Sequence, residues 1–117
     1  MNKINQPEIN LSLVPNGIKV RLTKVSELED AMHPNNIPTD NTLVGYVRPS
    51  LLQPIIGIAY GLESVIEENG IEQSPNHWFV TSEVVEIKYN KWDCNTPDKW
   101  VGGGFKTLNS IYKIEVL

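Results

Sequence analysis

Tyr89-Asn90-Lys91-Trp92-Asp93, followed by Lys99-Trp100, is the stretch of this 117-residue chain whose residue types best suit binding chemistry. Aromatic rings stack on a nucleobase or another flat ligand, and ammonium groups beside them meet its phosphates. Trp92, Trp100, Lys91 and Lys99 are therefore candidate ligand-binding residues. The same tryptophans have a simpler use, capping the open end of a small barrel or pairing across a hairpin, and this is the commoner role of large aromatics in small cores. Arg48, directly before Pro49, and Arg21 are the only arginines. Either could fork onto a phosphate or carboxylate, and either is equally explained as a solvated strand residue.

Two segments echo one another: Phe79-Val80-Thr81-Ser82-Glu83-Val84-Val85-Glu86-Ile87 and Phe105-Lys106-Thr107-Leu108-Asn109-Ser110-Ile111-Tyr112-Lys113-Ile114. Each is an aromatic anchor, then Thr, then Ser, then a strand-like run. Hydroxyls at such places bond backbone groups that leave a ladder, so structural corners are the expected role. The functional alternative is that Thr81, Ser82, Thr107, Asn109 and Ser110 present hydroxyls and N–H groups at one barrel rim, a geometry suited to an anion.

Catalytic chemistry finds no complete set of groups. His33 and His77, the only histidines, lie far apart in polar loops without a cysteine or carboxylate at ligand spacing, so no zinc site and no cofactor is expected. No Gly-x-Ser-x-Gly elbow, phosphate-loop lysine motif or His-Glu-x-x-His occurs, and Gly102-Gly103-Gly104 lacks the spacing that cradles phosphates and reads as a flexible turn. Glu67 and Glu68 are adjacent and need not share a cleft as general acid and base must. With no nucleophile, base and orienting group to name together, the chain reads as a binding protein and not an enzyme.

The length suits a single domain, and 40% hydrophobic with 21% charged residues is ordinary for a globular chain. Cys94 is alone and makes no internal bridge, which fits a reducing compartment. The N-terminal Met-Asn-Lys-Ile-Asn-Gln-Pro-Glu-Ile-Asn has no apolar signal core, and no later apolar run approaches a membrane span, so the expected address is the cytoplasm and no membrane partner is expected. The formal net charge of −4 makes nucleic acid the less expected partner, because phosphate binding needs clustered Lys and Arg.

These residues must be positioned by short strands. Ile18, Val20 and Leu22 alternate with Lys19, Arg21 and Thr23, which marks a half-buried strand over 18–25. Residues 43–48, 55–60, 78–81, 84–89, 105–108 and 111–117 read as further strands, with Tyr112, Ile114 and Val116 on one face of the last. A sharp turn is expected at 81–83. Ser26 and Glu29 resemble a capping box for at most two helical turns. Residues 33–42, 62–77 and 90–104 read as polar loops. Residues 1–14 form a loose arm or an added edge strand. The expected fold is mainly β, one domain over 1–117: a small SH3-like or similar barrel or sandwich with long polar loops. The strongly alternating last strand must be paired by closure or by a homo-oligomer.

The run from Trp78-Phe79-Val80-Thr81-Ser82 through Phe105-Lys106-Thr107-Leu108-Asn109-Ser110-Ile111-Tyr112-Lys113 resembles small uncharacterised proteins of bacteriophages and mobile elements. Residues 43–48 and 19–25 look similar too. The resemblance implies a phage-type context, in which small proteins act on host machinery, including host defence. The expected function is thus non-catalytic occupancy: masking a host protein, or sequestering a small anionic ligand such as a signalling nucleotide. A virion structural or assembly accessory, or a single-strand nucleic-acid-binding module, is the alternative.

Overall fold

The computed structural model describes residues 14–31 and 37–117. It is an antiparallel β structure of six strands: β1 (Ile18–Glu27), β2 (Thr42–Val47), β3 (Ala59–Glu68), β4 (Ile71–Trp92), β5 (Trp100–Thr107) and β6 (Ser110–Val116). Each pairs with its neighbour in sequence, and β6 returns to β1, so the sheet closes into a barrel. Closure covers both flanks of the last strand: Ile114 pairs with Leu22 on β1 and Gly103 on β5.

Alternation along β1 and β6 sets the interior. Val20 and Leu22 point inward from β1, Tyr112 and Ile114 from β6, and all four are buried. With Leu43, Val47, Tyr60, Leu62, Val65, Val84, Trp100 and Phe105 they form one cluster, against which Ile18, Phe79 and Val116 pack. Ring centroids step from Tyr60 to Phe105 (5.3 Å), Phe105 to Tyr112 (5.5 Å) and Tyr112 to Phe79 (6.4 Å), an aromatic spine across the barrel. Burial pushes the Tyr60 phenol well above its ordinary pKa, and its hydroxyl donates to the Leu52 carbonyl at 2.7 Å.

Several expectations are corrected. Residues 62–77 are not a loop: they belong to a β3–β4 hairpin whose turn is Asn69-Gly70, both at positive φ (51° and 86°), as a two-residue type I′ turn requires. No turn separates 78–81 from 84–89, because β4 passes through 81–83 without interruption. A straight strand of 22 residues would run about 70 Å, beyond the 55 Å longest dimension of the molecule. β4 therefore coils, and shifts of register on both flanks take up the curvature. Residues 55–58 form a turn ahead of β3 rather than the start of a strand. Ser26 and Glu27 lie at the end of β1, so among the described residues no helix follows the capping-box pattern, and the only helical turn is a 3₁₀ turn at Pro49–Leu51. The expected 90–104 loop shrinks to 93–99, and Gly102-Gly103-Gly104 sits inside β5. Residues 1–13 of the expected arm, and His33, lie outside the described residues. Val14, at the arm's end, is buried.

Candidate functional site

The two echoed segments are held by their own hydroxyls. Thr107 Oγ1 accepts from the N–H groups of Asn109 (3.1 Å) and Ser110 (3.0 Å) and donates to the Ser110 carbonyl (3.2 Å). Thr81 Oγ1 accepts from the Tyr60 N–H at 2.9 Å and donates to the Ser82 carbonyl at 2.7 Å. Asn109 Nδ2 donates to Ser82 Oγ, which ties one segment to the other. Thr81, Thr107, Asn109 and Ser110 are buried. The structure thus brings these five residues together, with their polar groups directed largely at the backbone that leaves the ladder.

The aromatic stretch lies at the end of β4 and the start of β5, at the opposite end of β5 from the 107–110 corner. Trp92 and Trp100 face each other across β4 and β5. Trp100 is buried and its indole N–H donates to Asn90 Oδ1 at 3.0 Å, so it anchors the hairpin, while Trp92 keeps 44% of its surface in water. Lys91 and Lys99 are exposed near it. Between the strands, the Asp93 carboxylate accepts from the Asn95 N–H (2.9 Å) and the Thr96 hydroxyl (2.8 Å). These bonds, the Asn95 N–H first, hold the Asp93 pKa below the usual carboxylate range. A carboxyl depressed in this way supports its turn above the unfolded carboxyl range and loses that support as pH falls through its folded pKa. Acidification through the folded Asp93 pKa is therefore expected to lower the protection factor of the Asn95 amide, its exchange rate relative to the intrinsic rate at each pH, while leaving that of core residues such as Val20 unchanged, which amide-resolved hydrogen exchange would check. Arg48 stands apart from both groups: its Nε lies 2.7 Å from Glu63 Oε2, an ion pair at the surface.

A surface that composition alone did not single out lies on the outer side of β3 and β4. Leu51, Ile55, Ile56 and Ile58, on the segment that links β2 to β3, are between 42% and 61% exposed. Trp78 (65%) and Val80 (48%) stand exposed on β4, with Val80 paired to Gly61. Two shallow depressions, of about 170 and 240 Å³, share Gly61 and Glu63 and join Leu51, Ile55 and Ile58 to Trp78 and Val80 in one apolar face. The missing side chain of Gly61 lowers the face between Trp78 and the isoleucine segment. The signal in the sequence is one of charge: residues 49–87 contain no Lys or Arg but six glutamates, Glu63, Glu67, Glu68, Glu72, Glu83 and Glu86.

The outer side of β4, β5 and β6 carries a different surface. The ring of Tyr89 lies across Gly104, covering a glycine with a cross-strand aromatic. Lys88, Lys91 and Lys113 line grooves of about 490 and 280 Å³ on its two sides. The grooves share Tyr89 and Lys113 and are floored in part by Gly102, Gly103 and Gly104. Here the lysines gather locally on an acidic chain.

Among the described residues no cluster of three or more His, Cys, Asp or Glu could hold a metal ion, and no helix is long and apolar enough to cross a membrane. Fold and surface together define a closed antiparallel β protein with one apolar and acidic face and one lysine-lined face. Comparison with protein-family models, with curated proteins and with solved structures finds no match to this chain.

Proposed function

We propose that this chain is a non-catalytic binding protein that acts by occupancy, masking a partner protein through the apolar face of Leu51, Ile55, Ile58, Trp78 and Val80. The observation that carries the reading is the exposure of these five large side chains on one contiguous surface. Large aliphatic and aromatic groups in water favour burial, at roughly 25 cal/mol for each Å² covered, and contiguous exposed patches mark interaction sites. Glu83, exposed and paired with Ala59 at the margin of this face, favours a partner with a basic group at the rim of its own apolar surface. In the phage setting implied by the sequence resemblance, that partner is a component of host machinery, host defence included, met in the host cytoplasm. We read the closed sheet as an SH3-like small barrel serving as a rigid support for this face.

The test is retention of proteins from a bacterial extract by the immobilised full-length chain, quantified against the double variant Ile58→Lys, Trp78→Ala. Both positions are exposed, so the variant should melt at the wild-type temperature. A discrete protein retained by the wild type and depleted at least ten-fold by the variant is the expected result. An unchanged retained set would overturn the reading. The lysine-lined grooves beside Tyr89 favour a second reading, sequestration of a small anionic ligand with an aromatic group stacked on Tyr89 and its charge near Lys91 and Lys113. Native mass spectra of gently purified protein test this: a stoichiometric adduct lost on Lys113→Ala would move the assignment to that surface.

A further inference from the structure

Pairing between β4 and β5 begins only at Val84. Over Ile71–Glu83, β4 pairs with β3 on one flank, and among the described residues no strand pairs with the other. The 107–110 corner closes this flank at its far end, where the Leu108 N–H donates to the Glu83 carbonyl at 3.1 Å and Asn109 reaches Ser82. Among the described residues, 73–81 are thus an open sheet edge. A row of unsatisfied N–H and C=O groups is a template for another strand, and native edges are ordinarily guarded by charge, lysine above all. Gln73-Ser74-Pro75-Asn76-His77-Trp78-Phe79-Val80-Thr81 contains no acid, lysine or arginine. Pro75 blunts only one position, and its presence within a strand fits an edge, because proline has no N–H for a ladder.

The chemistry of the occupant follows from the charges beside this neutral edge. Glu72 and Glu83 bracket it, both exposed, within a segment that holds no cation of its own. A second copy of the chain laid antiparallel would bring one pair of these glutamates toward the other, and like charges across a ladder repel. A strand with cationic ends meets them with opposite charge. We propose that the β4 edge accepts an extended, apolar segment of the partner protein, flanked by Lys or Arg, as an added β-strand. Main-chain hydrogen bonds supply affinity, and alternate side chains of the guest pack beside Trp78 and Val80 on the outer face. The added strand rests on the docking function proposed above and specifies how the partner engages it.

Amide-resolved hydrogen exchange of the full chain tests the inference, with a synthetic twelve-residue peptide of alternating valine and threonine closed by two lysines at each end. The matched control is closed by glutamates. The lysine-ended peptide is expected to slow exchange at least ten-fold at edge-facing amides between Asn76 and Thr81, leaving those of residues 84–92 unchanged. The glutamate-ended peptide is expected to bind at least ten-fold more weakly. No slowing with either peptide, or equal binding of both, overturns the proposal. So does a native mass spectrum in which the peptide-free chain is already a dimer with those amides protected. If the double variant of the apolar face loses a bacterial partner while neither peptide protects the edge, docking stands and the added strand falls. Protection of the edge with an unchanged retained set gives the converse.

Discussion

Phe105→Ala is expected to lower the stability of the fold by about 3–5 kcal/mol, the usual cost of removing a fully buried phenylalanine. Phe105 has no exposed surface and stands between Tyr60 and Tyr112 in the aromatic spine, so truncation leaves both neighbours facing a cavity. Neither tyrosine can readily fill it: the Tyr60 hydroxyl is fixed on the Leu52 carbonyl, and Tyr112 also packs against Phe79. A loss of this size is a large share of the roughly 5–15 kcal/mol that holds a domain together, and corresponds to a fall in Tm on the order of 10–20 °C. Thermal unfolding followed by circular dichroism checks it. A fall of only a few degrees would mean that the barrel collapses around the missing ring and that the spine is not the core's main support.

How much of this arrangement was legible in sequence depends on whether side-chain period survived along each strand. β1 and β6 alternate cleanly, and Ile18, Val20 and Leu22 and then Tyr112, Ile114 and Val116 take the inward positions their spacing implies. The β3–β4 hairpin is hidden because register shifts at Ala59/Gly61, Leu62/Val65 and Val65/Glu67 interrupt the pattern, and because the polar residues of an exposed strand resemble those of a loop. Asn69-Gly70, between runs holding Val65, Ile66 and Ile71, was the available hairpin signal. Hydroxyl chemistry points to backbone bonds at the echoed Thr residues, and Thr81 and Thr107 both make them, but only 107–110 is a corner, because β4 continues through Thr81 and Ser82. The apolar face was less legible, because Ile55, Ile56 and Ile58 have strand-like composition and only the fold turns them outward. The lack of any cation over residues 49–87 could have pointed to it.

Gly102-Gly103-Gly104 resembles a flexible turn only if glycine is assumed to mean freedom, and the same substitution at two glycines separates freedom from crowding. A Cβ at Gly103 would stand 2.6 Å from the Tyr89 carbonyl oxygen and 3.3 Å from Trp100 Cζ2. The first neighbour is backbone paired across β4 and β5, so Gly103→Ala must push the strands apart or displace the indole that donates to Asn90. Overpacking of this kind costs about 1–3 kcal/mol, and the fall in Tm is expected to reach roughly 10 °C. At Gly61 the same Cβ would meet Val80 Cγ2 at 3.4 Å, an ordinary contact, and alanine narrows the unfolded ensemble, a gain of about 0.4–1 kcal/mol where the backbone permits it. Gly61→Ala is therefore expected to leave Tm unchanged or raise it slightly. Equal, small effects at both positions would show that β4 and β5 part without cost, and the run would then be a hinge. A large loss at Gly103 alone means that the glycines are present because two strands and two aromatic rings, Tyr89 and Trp100, occupy the space that their side chains would need.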